Sequence, residues 1–416
     1  MCAALRIDCL NRGVRVATLA PDRDRAEVKQ PRGRDLSIDY LRTTLTLMVI
    51  AHHSCLAYTS WAHFDKQDML RSTAPVVDVT RWAFFDYAEN FNDVFFMSLM
   101  FFVSGLFVYP ALRKHGTLGF IRDRFLRLGV PFAFTVAFLM PIAYFASWQL
   151  TGRSAGFLNF YKGLAKIGFL AGPPWFIWLL LFFDVVLALV VFPFHRWLPA
   201  TGNFMRKLRC HPFATSACFL FLMALVYLPL VARYGPEHWT YIFIGSFVFQ
   251  TSRIGLYALW LVFGFLVGIP GFANGLLSRD GGLARLWPLW ILRCIVAYNV
   301  LWFFRGLPSV QHLSEFRQNA MYAVLWMASC AASSFGFLAL FRGINLTSRP
   351  WMNSLSRSAY VMYLVHYVYI TWMQRLVLDR PIHAGFKFLF VFLMTTLLSW
   401  LTAQMVFRIP KLKTIL

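Results

Sequence analysis

Residues 174–195 read PWFIWLLLFFDVVLALVVFPFH, 22 residues in which Asp184 is the one formally charged side chain. As an α-helix such a run reaches about 33 Å, enough to cross the roughly 30 Å hydrocarbon core of a bilayer. Lipid offers a bare backbone no hydrogen-bond partners, so a long apolar run of this kind folds as a helix.

The pattern recurs along the chain. Spans are expected at about 36–57, 91–112, 129–150, 174–195, 213–232, 254–272, 287–304, 319–341, 359–378 and 385–407. Hydrophobic residues make up 59% of the chain and charged ones 14%, against roughly 45–50% and about 25% in soluble domains. So little polar surface could not cover ten apolar helices, which excludes a soluble helical core. The ten-residue alternating strands of an outer-membrane barrel are absent. The expected fold is therefore all-α: a polytopic membrane helix bundle of about ten transmembrane helices, one domain over 35–416. Residues 240–250 (TYIFIGSFVFQ) are too short to span and read as a re-entrant or interfacial piece; if they did span, the count would be eleven. Residues 1–34 carry eight basic residues and no long apolar run, and read as a basic, flexible cytoplasmic tail.

The formal net charge of +22 is distributed unevenly. Alternate segments beginning at the N-terminus hold 25 of the 40 Lys and Arg residues. The opposite segments, with adjoining span ends, hold 13, and Arg42 and Arg293 lie within spans. This bias orients the N- and C-termini to the cytoplasm, and nucleic acid is not needed to explain the charge. Cys2, Cys9, Cys55, Cys210, Cys218, Cys294 and Cys330 lack CxxC spacing, and indicate neither a disulfide framework nor a metal site.

Ionisable groups inside lipid are costly and mark candidate function. The first span has the richest set: Asp35, Asp39, Arg42, His52 and His53. Asp39 and Arg42, three apart, can pair on one face. Arg42 and His53 are eleven residues apart, close to three turns, so they share a face about 16 Å apart along the axis, and His52 points roughly 100° away. An imidazole there either bridges helices or removes a proton from a hydroxyl near neutral pH. Asp93, at a similar depth, could orient the ring or serve as an interfacial cap. Arg124 and Arg127 form an RxxR pair with Arg122 beside it; three apart on a helix, they can grip phosphates or act as a topology signal. Tyr360, Tyr363 and His366 form a polar stripe on the ninth span, suited to inter-helix hydrogen bonding. Asp184 sits mid-span and must face protein or water.

These pieces together resemble the acyltransferase-3 family of bacterial inner-membrane acyltransferases. The matching stretches are DYLR (39–42) with His53 eleven residues after Arg42, FFVSG (101–105), RDRFLRLGVP (122–131), PPWFIWLLL (173–181) and SRSAYVMYLVH (356–366). In order they cover about residues 35–407. The resemblance implies transfer of an acyl group, acetyl or succinyl, from cytosolic acyl-CoA as co-substrate to a hydroxyl of an extracytoplasmic glycan or similar acceptor. It implies no further cofactor and no metal. Carried over, His53 is the base, Arg124, Arg127 and Arg122 bind the donor, and Arg42 supports the geometry, with Asp93 beside the base. Asp39, Ser104, Tyr360, Tyr363 and His366 give polar support. The doublet leaves His52 as an alternative base. With no hydrolase-like domain after the last span, either His53 acts directly or a periplasmic partner protein completes delivery.

Two rival readings of the residues exist. His63 and Asp68 make an HxxxxD pair of the glycerolipid-acyltransferase kind, but in an external loop, where chance accounts for it. A transporter or flippase without covalent chemistry would explain Arg42, Asp184 and Arg293 as a substrate path. Paired broken helices in inverted repeats would support it, and none is clear.

Overall fold

The computed structural model describes residues 35–242, 245–304 and 306–410; the tail expected over 1–34 lies outside them. Helix α1 (Leu36–Cys55) starts where the Asp35 carboxylate accepts the amide hydrogens of Ser37 and Ile38 at 3.1 and 3.4 Å. This cap satisfies donors that the first turn leaves open. Further along, the hydroxyls of Thr43, Thr46 and Ser54 donate to carbonyls four residues back, so the polar residues of α1 can sit in an apolar bundle. Thirteen of its 20 residues are buried, and it packs on α2, α14, α15 and α16, which makes it a central helix.

After α2 (Phe84–Gly105) and a break at Leu106–Phe107, the chain enters α3 (Val108–Arg124). It stays helical to Leu150 through a π-turn at Phe125–Gly129, α4 (Val130–Phe134), a second π-turn at Thr135–Leu139, and α5 (Met140–Leu150). Pro131 and Pro141 each follow a π-turn; the wider turn accommodates a residue with no amide hydrogen and a bulky ring. Next come α6 (Phe157–Ile167), α7 (Trp175–Val191), α8 (Leu198–Lys207) and α9 (Pro212–Tyr234). An antiparallel hairpin, β1 (Trp239–Ile242) with β2 (Phe247–Gln250), leads to α10 (Ile254–Gly268) and α11 (Gly282–Arg285). The order ends with α12 (Trp287–Phe304), α13 (Pro308–Gln311), α14 (Glu315–Gly343), α15 (Pro350–Val377) and α16 (Ala384–Val406).

Among the described residues, seven helical stretches are long and apolar enough to cross a membrane: Val108–Leu150, Trp175–Cys210, Pro212–Tyr234, Thr251–Gly268, Trp287–Phe304, Glu315–Gly343 and Ala384–Val406. Three further helices, α1, α2 and α15, are long enough but carry the polar residues of the bundle interior. Together the ten coincide in order with the expected spans. Leu189, Val190, Phe221, Leu225, Ile295, Val300 and Leu393 stand exposed on the outside, as lipid contact requires. Helices α2 and α10 meet backbone to backbone. A Cβ on Gly105 or Gly264 would collide with the carbonyl oxygen of Leu261 or Phe102, and one on Gly268 would lie 2.5 Å from the Leu106 oxygen.

Three boundaries differ from expectation. The helix at the second expected span begins at Phe84, seven residues before the expected start, because its opening turns carry Asp86, Glu89 and Asn90. Counting apolar residues misses turns that face a protein interior instead of lipid. The basic stretch 113–128, between the second and third expected spans, is helical apart from a break at Gly116 (φ 68°, ψ 174°). The non-spanning piece at 240–250 is the hairpin, which makes it the one sheet among the described residues. Its aromatic and β-branched residues flank a turn containing Gly245 at φ 70°, a conformation glycine adopts freely.

Candidate active site

Two cavities lie end to end along α1. The first, about 280 Å³, is lined by Arg42, Leu45 and Thr46 of α1, by Ser104 of α2, and by Arg124 and Tyr360. The second, about 530 Å³, is lined by Val49, His52 and His53 of α1 and by Asp93, Phe96 and Met97 of α2. Positions 42, 45, 46, 49, 52 and 53 follow the three- and four-residue steps of one broad helix face. Tyr363 belongs to both linings. Its buried hydroxyl donates to the Pro173 carbonyl at 2.5 Å, so this side chain is part of the wall between the two chambers.

The first chamber is cationic. The Arg124 guanidinium lies 4.9 Å over the Phe120 ring and its Nε is 3.1 Å from Asp184 Oδ2. Asp184, left without a role by the sequence, is thus the buried partner of Arg124. The Arg42 guanidinium lies 5.7 Å from the centre of the Phe107 ring. Arg127 does not join them. The π-turn that begins at Phe125 changes the helical phase directly after Arg124, so the simple three-residue spacing no longer aligns the pair. Arg127 turns outward, half exposed, with its Nε 2.9 Å from Asp123 Oδ1, and Arg122 is exposed beside it. The Tyr360 hydroxyl donates to the Arg127 carbonyl at 2.6 Å, tying α15 to the π-turn. The Asp39 carbonyl accepts from Thr43 and Ser356 at the α1–α15 contact.

The second chamber holds the histidines. The half-buried His53 ring packs on His366 and Tyr367, with centroids 5.4 and 5.3 Å apart. His52 is buried against Phe96, its Nε2 3.8 Å from Glu89 Oε1. Gln374 donates to the His53 and Ser54 carbonyls at 3.1 and 3.3 Å, clamping the end of α1 to α15. Asp93 lines the chamber, but its carboxylate goes to Arg253, Oδ2 to Nη1 2.8 Å. The structure therefore does not bring Asp93 onto the His53 ring. Arg253 in turn lies 4.3 Å from the Trp326 ring centre.

Loop residues and the hairpin roof this chamber. Met69, Ser72 and Pro75 contribute from the loop after α1, and Trp239, Tyr241, Val248 and Gln250 from the hairpin. The Val248 carbonyl accepts from Trp178 Nε1 at 3.1 Å, and Ser246 donates to Phe169 at 2.6 Å. The loop is pinned by a buried ion pair, Lys387 Nζ to Asp78 Oδ2 at 2.7 Å. Trp175, Tyr144 and Tyr257 add aromatic wall.

Sequence reasoning missed Glu89, Arg253, Tyr367 and the roof aromatics. Arg253 was detectable as a cation immediately before an apolar span. Glu89 lay outside the expected second span, although it sits four residues before Asp93 on the same helix.

Arg293, read as part of a substrate path, stacks on Trp290 and Phe213 at 4.6 and 5.6 Å and lines a separate groove with Ser216 and Ala328. It does not share a chamber with Arg42, and Asp184 lies buried behind Arg124. Among the described residues no three His, Cys, Asp or Glu side chains gather as a metal site.

A family model, that of the acyltransferase-3 family and described as an acyltransferase domain, matches residues 35–404. No curated protein and no solved structure matches the chain. A helical bundle with seven stretches apolar enough to span a membrane, matched by this family over nearly its whole described length, belongs to the acyltransferase-3 family and is a membrane acyltransferase.

Proposed function

We propose that the protein moves an acetyl or succinyl group from cytosolic acyl-CoA to a hydroxyl of an extracytoplasmic glycan, in a bacterial inner membrane with both termini cytoplasmic. The observation that carries this reading is the succession of chambers on one face of α1: Arg42 and Arg124 in the first, His53 in the second, Tyr363 between them. The cationic chamber suits the phosphates of CoA, and Arg122 and Arg127 lie outside it where the donor would arrive. The pantetheine arm would pass Tyr363 and bring the thioester to His53. The aromatic walls, Trp175, Trp239, Tyr241 and Tyr257, with the polar Gln250 and Asp93, suit a sugar, which offers apolar ring faces and hydroxyls together.

The reaction balances without a redox partner. A bare nitrogen of His53 takes the proton of the acceptor hydroxyl as that oxygen attacks the thioester carbonyl carbon. The carbon–sulfur bond breaks, CoA leaves as the thiolate, and the imidazolium returns the proton to sulfur. The product is the O-acyl ester, and His53 ends as it began. His53 is the preferred base because its ring is partly exposed where it lines the chamber, whereas His52 is buried beside Glu89.

His53→Ala should abolish acyl transfer while the protein stays abundant in the membrane. Transfer that survives this change but fails in His52→Ala would reassign the base. Mass spectrometry of surface and periplasmic glycans from a deletion strain should reveal a lost acetyl or succinyl decoration. Purified protein that consumes neither acetyl-CoA nor succinyl-CoA with any glycan acceptor would instead favour transport without chemistry.

A further inference from the structure

A base needs one nitrogen bare and the other held, and a carboxylate usually does the holding. Here Asp93 is taken by Arg253, and Glu89 faces His52. Three rings stand against His53: His52 at 5.1 Å and Tyr367 at 5.3 Å, both edge-on, and His366 at 5.4 Å with its plane only 33° away, an imidazole brought from another helix.

The tautomer of His366 follows from its partner. Its Nδ1 lies 2.6 Å from the Tyr363 carbonyl oxygen. A carbonyl only accepts, so Nδ1 carries the hydrogen, and in the neutral ring Nε2 is then a bare acceptor. That Nε2 is fully buried and has no hydrogen-bond partner. His53 Nδ1 is likewise buried without a partner. An acceptor and a potential donor, on rings in contact and both cut off from water, are each costly to leave unpaired.

From this geometry, and resting on the assignment of His53 as base, we propose that His366 is its positioning residue: His53 Nδ1–H donates to His366 Nε2. The pairing closes a chain from His53 through His366 to the Tyr363 carbonyl. It fixes His53 as the Nδ1–H tautomer and leaves its Nε2 as the basic nitrogen. Because the partner is neutral, His366 orients the base and adds no fixed charge. The chain also explains why one segment of α15 carries both Tyr363 and His366: its backbone sets the second imidazole and its side chain walls the donor chamber from the acceptor chamber.

Two substitutions separate this role from packing. An Asn amide places a donor near the former Nδ1 and can keep the bond to Tyr363, but offers nothing at Nε2. A Gln amide reaches the former Nε2 and can present its oxygen to His53. The probes are release of CoA thiol from acetyl-CoA and succinyl-CoA by purified protein in nanodiscs with membrane glycan extract, and the rate at which diethyl pyrocarbonate modifies His53, followed by peptide mass spectrometry. His366→Asn should lower kcat by at least about tenfold, a single tenfold step in the barrier, leave KM for the acyl-CoA unchanged, and slow His53 modification. His366→Gln should recover most of both. Size-exclusion and melting profiles report whether each variant is folded; if both unfold, His366→Gln in a His53→Ala background supplies the stability comparison, where a pairing role predicts no further loss. Equal kcat and equal His53 modification in the Asn and Gln variants would reduce His366 to packing. Activity that persists in His53→Ala would overturn the base assignment itself, a different outcome from failure of the pairing.

Discussion

Arg124 Nε lies 3.1 Å from Asp184 Oδ2, and neither carboxylate oxygen of Asp184 has a hydrogen-bond partner. The Asp184 side chain is 1% exposed and that of Arg124 18%, so the buried charge of Asp184 is balanced by the same cation that lines the first chamber. One residue therefore carries a structural duty and, in the function proposed above, a binding duty. Removing Arg124 alone strands a buried carboxylate, a change that typically costs about 3–5 kcal/mol. Arg124→Ala should melt several degrees lower and bind acyl-CoA weakly. Arg124→Ala with Asp184→Leu should regain most of the melting temperature but not the affinity. If the double variant regains both, Arg124 has no part in holding CoA.

The glycines at the α2–α10 contact make a second prediction. Gly105 closes the FFVSG stretch, and its missing Cβ is what lets α2 rest on the Leu261 carbonyl. In lipid, such close approach replaces the hydrophobic drive that water would supply. Gly105→Leu and Gly264→Leu should sharply reduce the yield of folded protein in the membrane. Gly156→Ala, at a site with open space around it, should leave yield unchanged. Equal yields across the three would show that the helices can separate without penalty.

That glycine illustrates how much could be read from residue order. Among the described residues, seven of the ten long helices were legible because apolar runs longer than a bilayer is thick have one solution, α1, α2 and α15 were legible as apolar stretches interrupted by polar residues, and the face shared by Arg42 and His53 was legible because a helix repeats every 3.6 residues. What escaped depended on local departures from that period or on contacts between distant segments. The π-turn after Arg124 separates it from Arg127, although their spacing puts them together on an ideal helix. The capture of Asp93 by Arg253 joins residues 160 positions apart, and nothing in either neighbourhood announces it. His366 was visible only as a polar stripe; its place beside His53 follows from α15 packing on α1.

Asp35 gives a dependence on pH. Burial raises its affinity for a proton, but the Ser37 hydroxyl, the charge and hydrogen bond of Arg342 and the Ile38 amide outweigh that, and the carboxyl is held below its usual range. Arg342 Nη1 reaches Asp35 Oδ2 at 2.6 Å, and Arg342 also donates to Leu277, so Asp35 ties the start of α1 to the end of α14. A carboxyl whose folded value is depressed stabilises the fold above its unfolded value, near 3.9, and loses that contribution as pH falls through the folded value. Asp35→Asn should therefore melt lower than wild type at pH 6, by an amount equivalent to about 1–2 kcal/mol. The gap should close as the buffer is taken below about pH 4. A gap independent of pH would mean the pairing is not ionic.

The wall at Tyr363 bears on how transfer avoids waste. A thioester brought near a basic histidine and water hydrolyses unless water is kept out, and the bond from Tyr363 to the Pro173 carbonyl holds this side chain in the wall shared by the two chambers. Tyr363→Phe keeps the ring and loses one hydrogen bond, worth about 1 kcal/mol, so the partition should largely hold. Tyr363→Ala opens the wall, at a packing cost of about 3–5 kcal/mol that calls for assays in the cold. The backbone carbonyl that holds His366 is present in both variants, so His53 keeps its neighbour and a change in outcome reports the wall. The quantity to measure is CoA thiol released from acetyl-CoA without acceptor, divided by ester formed with acceptor. That ratio should rise clearly in Tyr363→Ala and stay near the wild-type value in Tyr363→Phe. An unchanged ratio in the alanine variant would place the barrier to water elsewhere, with the roof formed by the hairpin and the loop at Met69–Pro75 as the next element to open.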